Sequence, residues 1–139
     1  MRHFVLDASV ALAWFVDDPV ATYAIQVRQA ILNGRCALVP ALWHLEMANG
    51  LVVAERRGVL SVADSIRNLG NLEQLVVQAL ETQGDTVPLR QALSTARAFG
   101  LSAYDSVYLD LALKEGLPLA TLDRTLRSAA KQAGIELFH

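Results

Sequence analysis

Asp7, Glu46, Asp105 and Asp123 are the residues whose types and positions suit them best to chemistry in this chain. Asp7 ends the apolar run Phe4-Val5-Leu6, and Asp123 follows Leu119-Ala120-Thr121-Leu122. Glu46 interrupts a mainly apolar stretch, and Asp105 stands three residues after Ser102. Gathered at one point, four carboxylates would form an all-oxygen anionic site of the kind that hard divalent cations neutralise. Without a cation they would repel one another and raise some of their own pKa values.

Each acid also has an ordinary reading. Asp7 can accept backbone hydrogen bonds near a helix start, and Asp123 stands where an N-cap belongs. Ser102 to Asp105 has capping-box spacing, with Asp in place of the usual Glu or Gln. Glu46 resists such an account, because Glu is rarely buried without a partner. Asn49 lies three positions on, so the two polar groups share a helix face; an exposed stripe is the alternative. Ser9 and Thr121 place hydroxyls beside Asp7 and Asp123. Ser9 would cap a helix, and both would support metal ligands. Asp110 falls roughly 140° round the helix from Asp105 and is expected to point elsewhere. Arg56, Arg57, Arg124 and Arg127 are candidates for phosphate contacts, or else a solvated face.

Alternating short strands and helices must position these groups. The apolar runs predict strands at His3–Asp7, Cys36–Val39, Leu75–Ala79, Pro118–Thr121 and Ile135–Phe138. Helices are expected from Val10 to Val16, capped by Ser9, and from Val20 to Leu32, opened by Pro19. A long helix follows from Ala41 to Arg57, with Leu42, Leu45, Ala48, Val52 and Val53 at helical spacing. Further helices run from Val62 to Leu72, Val87 to Phe99, Ser102 to Glu115, and Asp123 to Ala133. Short apolar strands between helices imply an α/β fold with a mostly parallel sheet covered on both faces. Ligands then bind beyond the carboxyl ends of the strands, where Asp7 and Asp123 stand.

The bulk figures exclude several classes. A chain of 139 residues suits one domain, residues 1–139, with one core. Its hydrophobic fraction of 53% against 19% charged excludes a disordered chain. The longest apolar run, Val10 to Val16, is far below the roughly 20 residues that span a membrane. The opening residues do not read as a signal peptide, so a cytoplasmic location is expected. With Cys36 as the single cysteine, an internal disulfide and a thiolate metal site are excluded. The net charge of −2 argues mildly against an obligate nucleic-acid binder.

Four segments carry a resemblance. Phe4-Val5-Leu6-Asp7-Ala8-Ser9-Val10 resembles the first motif of PIN domains, and Glu46 with Asn49 resembles their helix-borne E-x-x-N pair. Leu101 to Leu109, around Asp105, and Leu119 to Leu126, around Asp123, resemble the third and fourth motifs. Size and motif order are similar to VapC toxins of bacterial toxin–antitoxin pairs. The resemblance implies a three-layer α/β/α sandwich, Mg²⁺ or Mn²⁺ dependence and endoribonuclease activity on an RNA substrate. It also implies a homodimer and a cognate antitoxin. By motif position, Asp7 and Asp105 would be the principal metal ligands, Glu46 and Asp123 would complete the acidic set, and Ser9, Asn49 and Thr121 would support it. Two other readings compete. A catalytically inactive module of the same fold would bind no metal. A receiver-like phosphoacceptor domain would want adjacent acids after the first strand and a late lysine, and the chain has neither pattern.

Overall fold

The computed structural model describes residues 3–139. The element order is β1 (His3–Leu6), α1 (Ala8–Val16), α2 (Thr22–Leu32), β2 (Cys36–Pro40), α3 (Leu42–Arg56), α4 (Val62–Ala79), β3 (Leu80–Gln83), α5 (Leu89–Phe99), α6 (Ala103–Glu115), β4 (Leu119–Ala120) and α7 (Arg124–Gln132). The four strands form one parallel sheet in the order β3-β2-β1-β4. With helices around the sheet, this is the expected three-layer α/β/α arrangement.

Strand order and crossover handedness together place the helices. The chain steps from β1 to β2 to β3 in one direction, then returns past β1 to β4. Right-handed crossovers put α1 to α4 over one face and α5 and α6 over the other. The packing agrees: α1 lies against α2 and α3, while α6 lies against α5 and α7 and covers β1, β2 and β4. The direction reverses between β1 and β4, so the topological switch point lies beyond their carboxyl ends. There Asp7 N–H donates to Ala120 C=O at 2.9 Å, tying the two strand ends together.

Phe4, Val5 and Leu6 are fully buried in the central strand, as are Leu119 and Ala120 in β4. Trp14 pins α1 to α2 by donating Nε1–H to Ala24 C=O at 2.8 Å. Near the C-terminus, Tyr23 O–H donates to Phe138 C=O at 2.8 Å, and the Phe138 ring stacks on Phe4 with centroids 4.0 Å apart.

Several expectations need correction. Residues 75–79 are not a strand: α4 continues to Ala79, and the third strand is Leu80–Gln83. Leu72 is buried, and Leu75, Val76 and Ala79 pack partly against the core, while Val77 is exposed. That is helical spacing, and it outweighs the β-propensity of Leu75-Val76-Val77. The last strand reduces to a single bridge, Leu137 to Leu119. The second helix begins at Thr22 rather than Val20, after a cis Asp18–Pro19 peptide. In α3 the buried face is Trp43, Met47, Leu51 and Ala54, with Leu45 exposed, so the core face is rotated from the expected one. Ser9 is not a cap: α1 starts at Ala8, which puts Ser9 inside the first turn.

Candidate functional site

At the switch point a cavity of about 310 Å³ opens among the end of β1, helices α1, α3 and α6, and the turn after β4. Asp7 comes from the end of β1, Glu46 and Asn49 from α3, Asp105 from α6, and Asp123 from the turn after β4. All four sequence-predicted acids therefore meet at one pocket, with Ser9 and Asn49 on its wall. Thr121 stands behind it, fully buried. None of the four candidate arginines lines the pocket, and neither does a lysine. Arg127 instead donates from Nη1 to Thr121 C=O at 2.7 Å and lies over the Tyr23 ring, 4.9 Å from its centroid. It holds the turn that carries Thr121.

Asp7 is the most enclosed of the set, at 4% exposure. Ser9 O–H donates to its Oδ2 at 2.6 Å, and Thr121 O–H donates to the same oxygen at 2.7 Å. Both hydroxyls also accept: Ser9 Oγ from Leu122 N–H at 3.0 Å, and Thr121 Oγ1 from Asp123 N–H at 3.0 Å. The β1 and β4 ends are thus knitted together through two hydroxyls and one carboxylate. Burial pushes the Asp7 carboxyl above its ordinary range; the two hydroxyl donors oppose this, and the charge of Asp123 adds to it.

Asp123 both caps and lines. Its Oδ1 accepts from Leu126 N–H at 2.8 Å, the first-turn bond expected of an N-cap. Asp105 follows Ser102, whose Oγ accepts the Asp105 N–H at 3.1 Å and caps α6. Burial raises the Asp105 carboxyl, and Asp7 and Asp123 reinforce the rise by like-charge repulsion. Asp110, on the same helix, points away as expected and accepts from Thr95 O–H at 2.7 Å.

Glu46 has a partner that the sequence reading missed. Tyr108 O–H donates to Glu46 Oε1 at 2.6 Å across the gap between α6 and α3. Tyr108 is fully buried, and burial holds it as the neutral phenol far above its ordinary pKa. The Glu46 carboxyl is raised chiefly by desolvation; the Tyr108 bond opposes this, and Asp7 and Asp105 add to it. The signal for Tyr108 was its spacing: three residues beyond Asp105, it shares that residue's helix face.

Every donor side chain of the acidic set offers oxygen, which suits a hard cation such as Mg²⁺ or Mn²⁺. Desolvation and mutual repulsion disfavour the ionised carboxyls, and among the described residues no lysine or arginine lines the pocket to offset them. Among the described residues no three of these carboxyls stand close enough together to hold one ion. A larger cavity of about 620 Å³ lies elsewhere, between the end of β2 and α5 and α6. Of its charged groups, Lys114 pairs with Asp85 at 3.7 Å and Asp110 accepts from Thr95.

Comparison with known proteins places this geometry in a family context. The PIN domain pattern matches residues 4–132. Ribonuclease VapC3 of Pyrobaculum aerophilum is 31% identical over 122 residues, spanning 88% of this chain and 90% of the relative. The crystal structure of PAE2754 from Pyrobaculum aerophilum superposes with a TM-score of 0.68 at 25% identity, covering 92% of this chain and 84% of that one. VapBC2 from Rickettsia felis, solved bound to a DNA fragment from its promoter, superposes with a TM-score of 0.64 over 99% of this chain and 98% of that one. Its 10% identity bears on the fold alone.

Proposed function

The chain belongs to the PIN domain family, and from that premise we propose that it is a divalent-metal-dependent endoribonuclease, the toxin of a toxin–antitoxin pair. The supporting observation is the meeting of Asp7, Glu46, Asp105 and Asp123, from four separate elements, around one pocket at the switch point. The likeness to a ribonuclease over most of both chains supports RNA as the substrate. By the same reading residues 1–139 act as one domain in the cytoplasm, as a homodimer held in check by a cognate antitoxin. Among the described residues no helix is long and apolar enough to cross a membrane.

Asp7 and Asp105 would hold Mg²⁺ or Mn²⁺, with Glu46 and Asp123 completing the set. A bound cation supplies the charge that makes water a better nucleophile near neutral pH and stabilises the leaving oxygen of an in-line displacement. The chain does the positioning. Ser9 and Thr121 fix Asp7 by two donors on Oδ2. The helix cap on Oδ1 fixes Asp123 and leaves its other oxygen for the pocket. Glu46, its Oε1 held by Tyr108, would turn Oε2 toward the cation. Asn49, exposed beside Glu46, is placed to hydrogen-bond the substrate backbone.

The test is incubation of the purified protein with total RNA, with Mn²⁺ or EDTA, followed by mapping of the ends. Discrete cuts that require Mn²⁺ are expected. Asp7→Asn should lower the rate by more than about 100-fold, beyond the cost of losing a mere supporting group. Cleavage that persists in EDTA, or at the wild-type rate in Asp7→Asn, would overturn the assignment. An absence of Mn²⁺ binding would point to an inert module of the same fold.

A further inference from the structure

Glu46 and Tyr108 are 62 residues apart in sequence and belong to different helices, yet they form one of the two shortest side-chain contacts in the site, at 2.6 Å. A length between about 2.5 and 2.7 Å is that of a hydroxyl donating to a charged carboxylate. The two ends differ in freedom. Tyr108 is fully enclosed, so its ring is fixed by packing and its hydroxyl has no water to turn to. Glu46 is a half-exposed, flexible side chain that would sample several rotamers if left alone. Tyr108 also lies one helical turn beyond Asp105 on α6. One rigid helix thus delivers a carboxylate to the pocket and clamps a second carboxylate that belongs to α3.

We propose that Tyr108 is a positioning residue that commits Glu46 Oε1 and leaves Oε2 as the oxygen offered to a cation, so that the site prefers Mg²⁺ or Mn²⁺ to Ca²⁺. The inference rests on the reading of the pocket as a divalent-cation site. Ca²⁺ takes six to eight oxygens and readily uses both oxygens of a carboxylate, whereas Mg²⁺ demands near-octahedral geometry with few carboxylates and several waters. A carboxylate oxygen already accepting from a phenol at 2.6 Å is a poor second ligand. Holding Glu46 by one oxygen therefore works against the larger ion. The phenol plays no part in the reaction itself and acts only through Glu46.

Calorimetric titration of the full chain with Mn²⁺ and with Ca²⁺ tests this, comparing wild type with Tyr108→Phe. The variant should bind Mn²⁺ about 10- to 100-fold more weakly, the usual cost of losing a group that orients a ligand. Ca²⁺ should weaken less, so the preference for Mn²⁺ shrinks. Unchanged Mn²⁺ affinity overturns the proposal, and so does an equal loss for both ions, which marks general distortion. A wild-type chain that binds no Mn²⁺ overturns the underlying site reading instead. Tyr108→Phe leaves a half-buried carboxylate without its donor, so a second variant guards against misfolding. Glu46→Ala with Tyr108→Phe removes both members and strands neither. Its Mn²⁺ affinity should equal that of Glu46→Ala alone; a further loss would mean that Tyr108 acts by another route, and the proposal fails.

Discussion

Thr121 shows how one hydroxyl serves two masters in this site. It donates to Asp7 Oδ2 and accepts from Asp123 N–H, with no exposure to solvent. Thr121→Val keeps the shape and removes both bonds. Asp123 N–H then loses its acceptor, and Asp7 keeps only Ser9 on Oδ2. Leaving a buried donor unpaired costs about 1–3 kcal/mol, so the variant should be less stable by that amount in urea. The same loss should push the Asp7 carboxyl further up, since the Thr121 bond is one of the effects holding it down. A Thr121→Val protein as stable as wild type would show that water replaces the hydroxyl. Ser9→Ala should couple to Thr121→Val, because both hydroxyls act on one oxygen and lie 3.4 Å apart. At this scale the sequence was informative about acids and their hydroxyl neighbours. For Tyr108 it offered only the spacing from Asp105, because a tyrosine in an apolar helix reads as core until its partner from α3 is seen.

Helix α3 reaches the pocket by close approach to α1, and Gly50 marks the contact. A methyl at Gly50 would overlap Leu12 Cδ2 and stand 2.7 Å from Cδ1. Both residues line the pocket beside Glu46 and Asn49. Gly50→Ala gains about 1 kcal/mol of helix propensity, but in the wild-type background Leu12 must move aside. In a Leu12→Ala background that obstruction is gone. Gly50→Ala should therefore stabilise the Leu12→Ala protein by about 1 kcal/mol and the wild type by clearly less. Equal effects in the two backgrounds would mean that the helices do not meet at this point. The elements that the sequence misplaced share a cause. Leu75-Val76-Val77 looks like a strand locally, yet Leu72, Leu75, Val76 and Ala79 lie on one helical stripe facing the core. The true β3, Leu80-Glu81-Thr82-Gln83, is a polar edge strand whose pairing with β2 is set by backbone bonds, not by an apolar pattern. In α3, Trp43 and Met47 took the core in place of Leu45, with Leu42 packed partly against it, and this rotation brings Glu46 to the pocket.

Across the whole molecule, the parallel order β3-β2-β1-β4 makes one switch point, and the chain places its buried negative charge there. The alternation of strands and helices made the architecture legible, whereas the strand order, and with it the side of β1 on which the pocket lies, came only from tertiary pairing. Concentrating charge in this way has a consequence for stability. Asp7, Glu46 and Asp105 all have carboxyls raised in the folded state, foremost by desolvation. The fold thus favours their protonated forms relative to the unfolded chain. The stability this contributes is full below the ordinary carboxylate range and is lost as pH rises through the raised values. Asp64, lowered by its capping bonds, acts in the opposite sense, but it is exposed and its change falls at more acid pH. The metal-free protein should therefore lose thermal stability as pH rises above the ordinary carboxylate range, on account of these three groups. A cation in the pocket should reverse the trend, since it binds the ionised forms and its binding releases protons. At a free Mn²⁺ concentration of about 100 times Kd the gain is about 2.7 kcal/mol. For a chain of this size that corresponds to a rise in Tm of roughly 10 °C. Melting curves in EDTA and in Mn²⁺ across this range measure both effects. The largest Mn²⁺ shift is expected at the alkaline end, and Asp7→Asn should flatten the slope in EDTA. A Tm in EDTA that climbs with pH, or one that Mn²⁺ leaves in place, would mean that the carboxylates at the switch point are not an unneutralised cluster awaiting a cation.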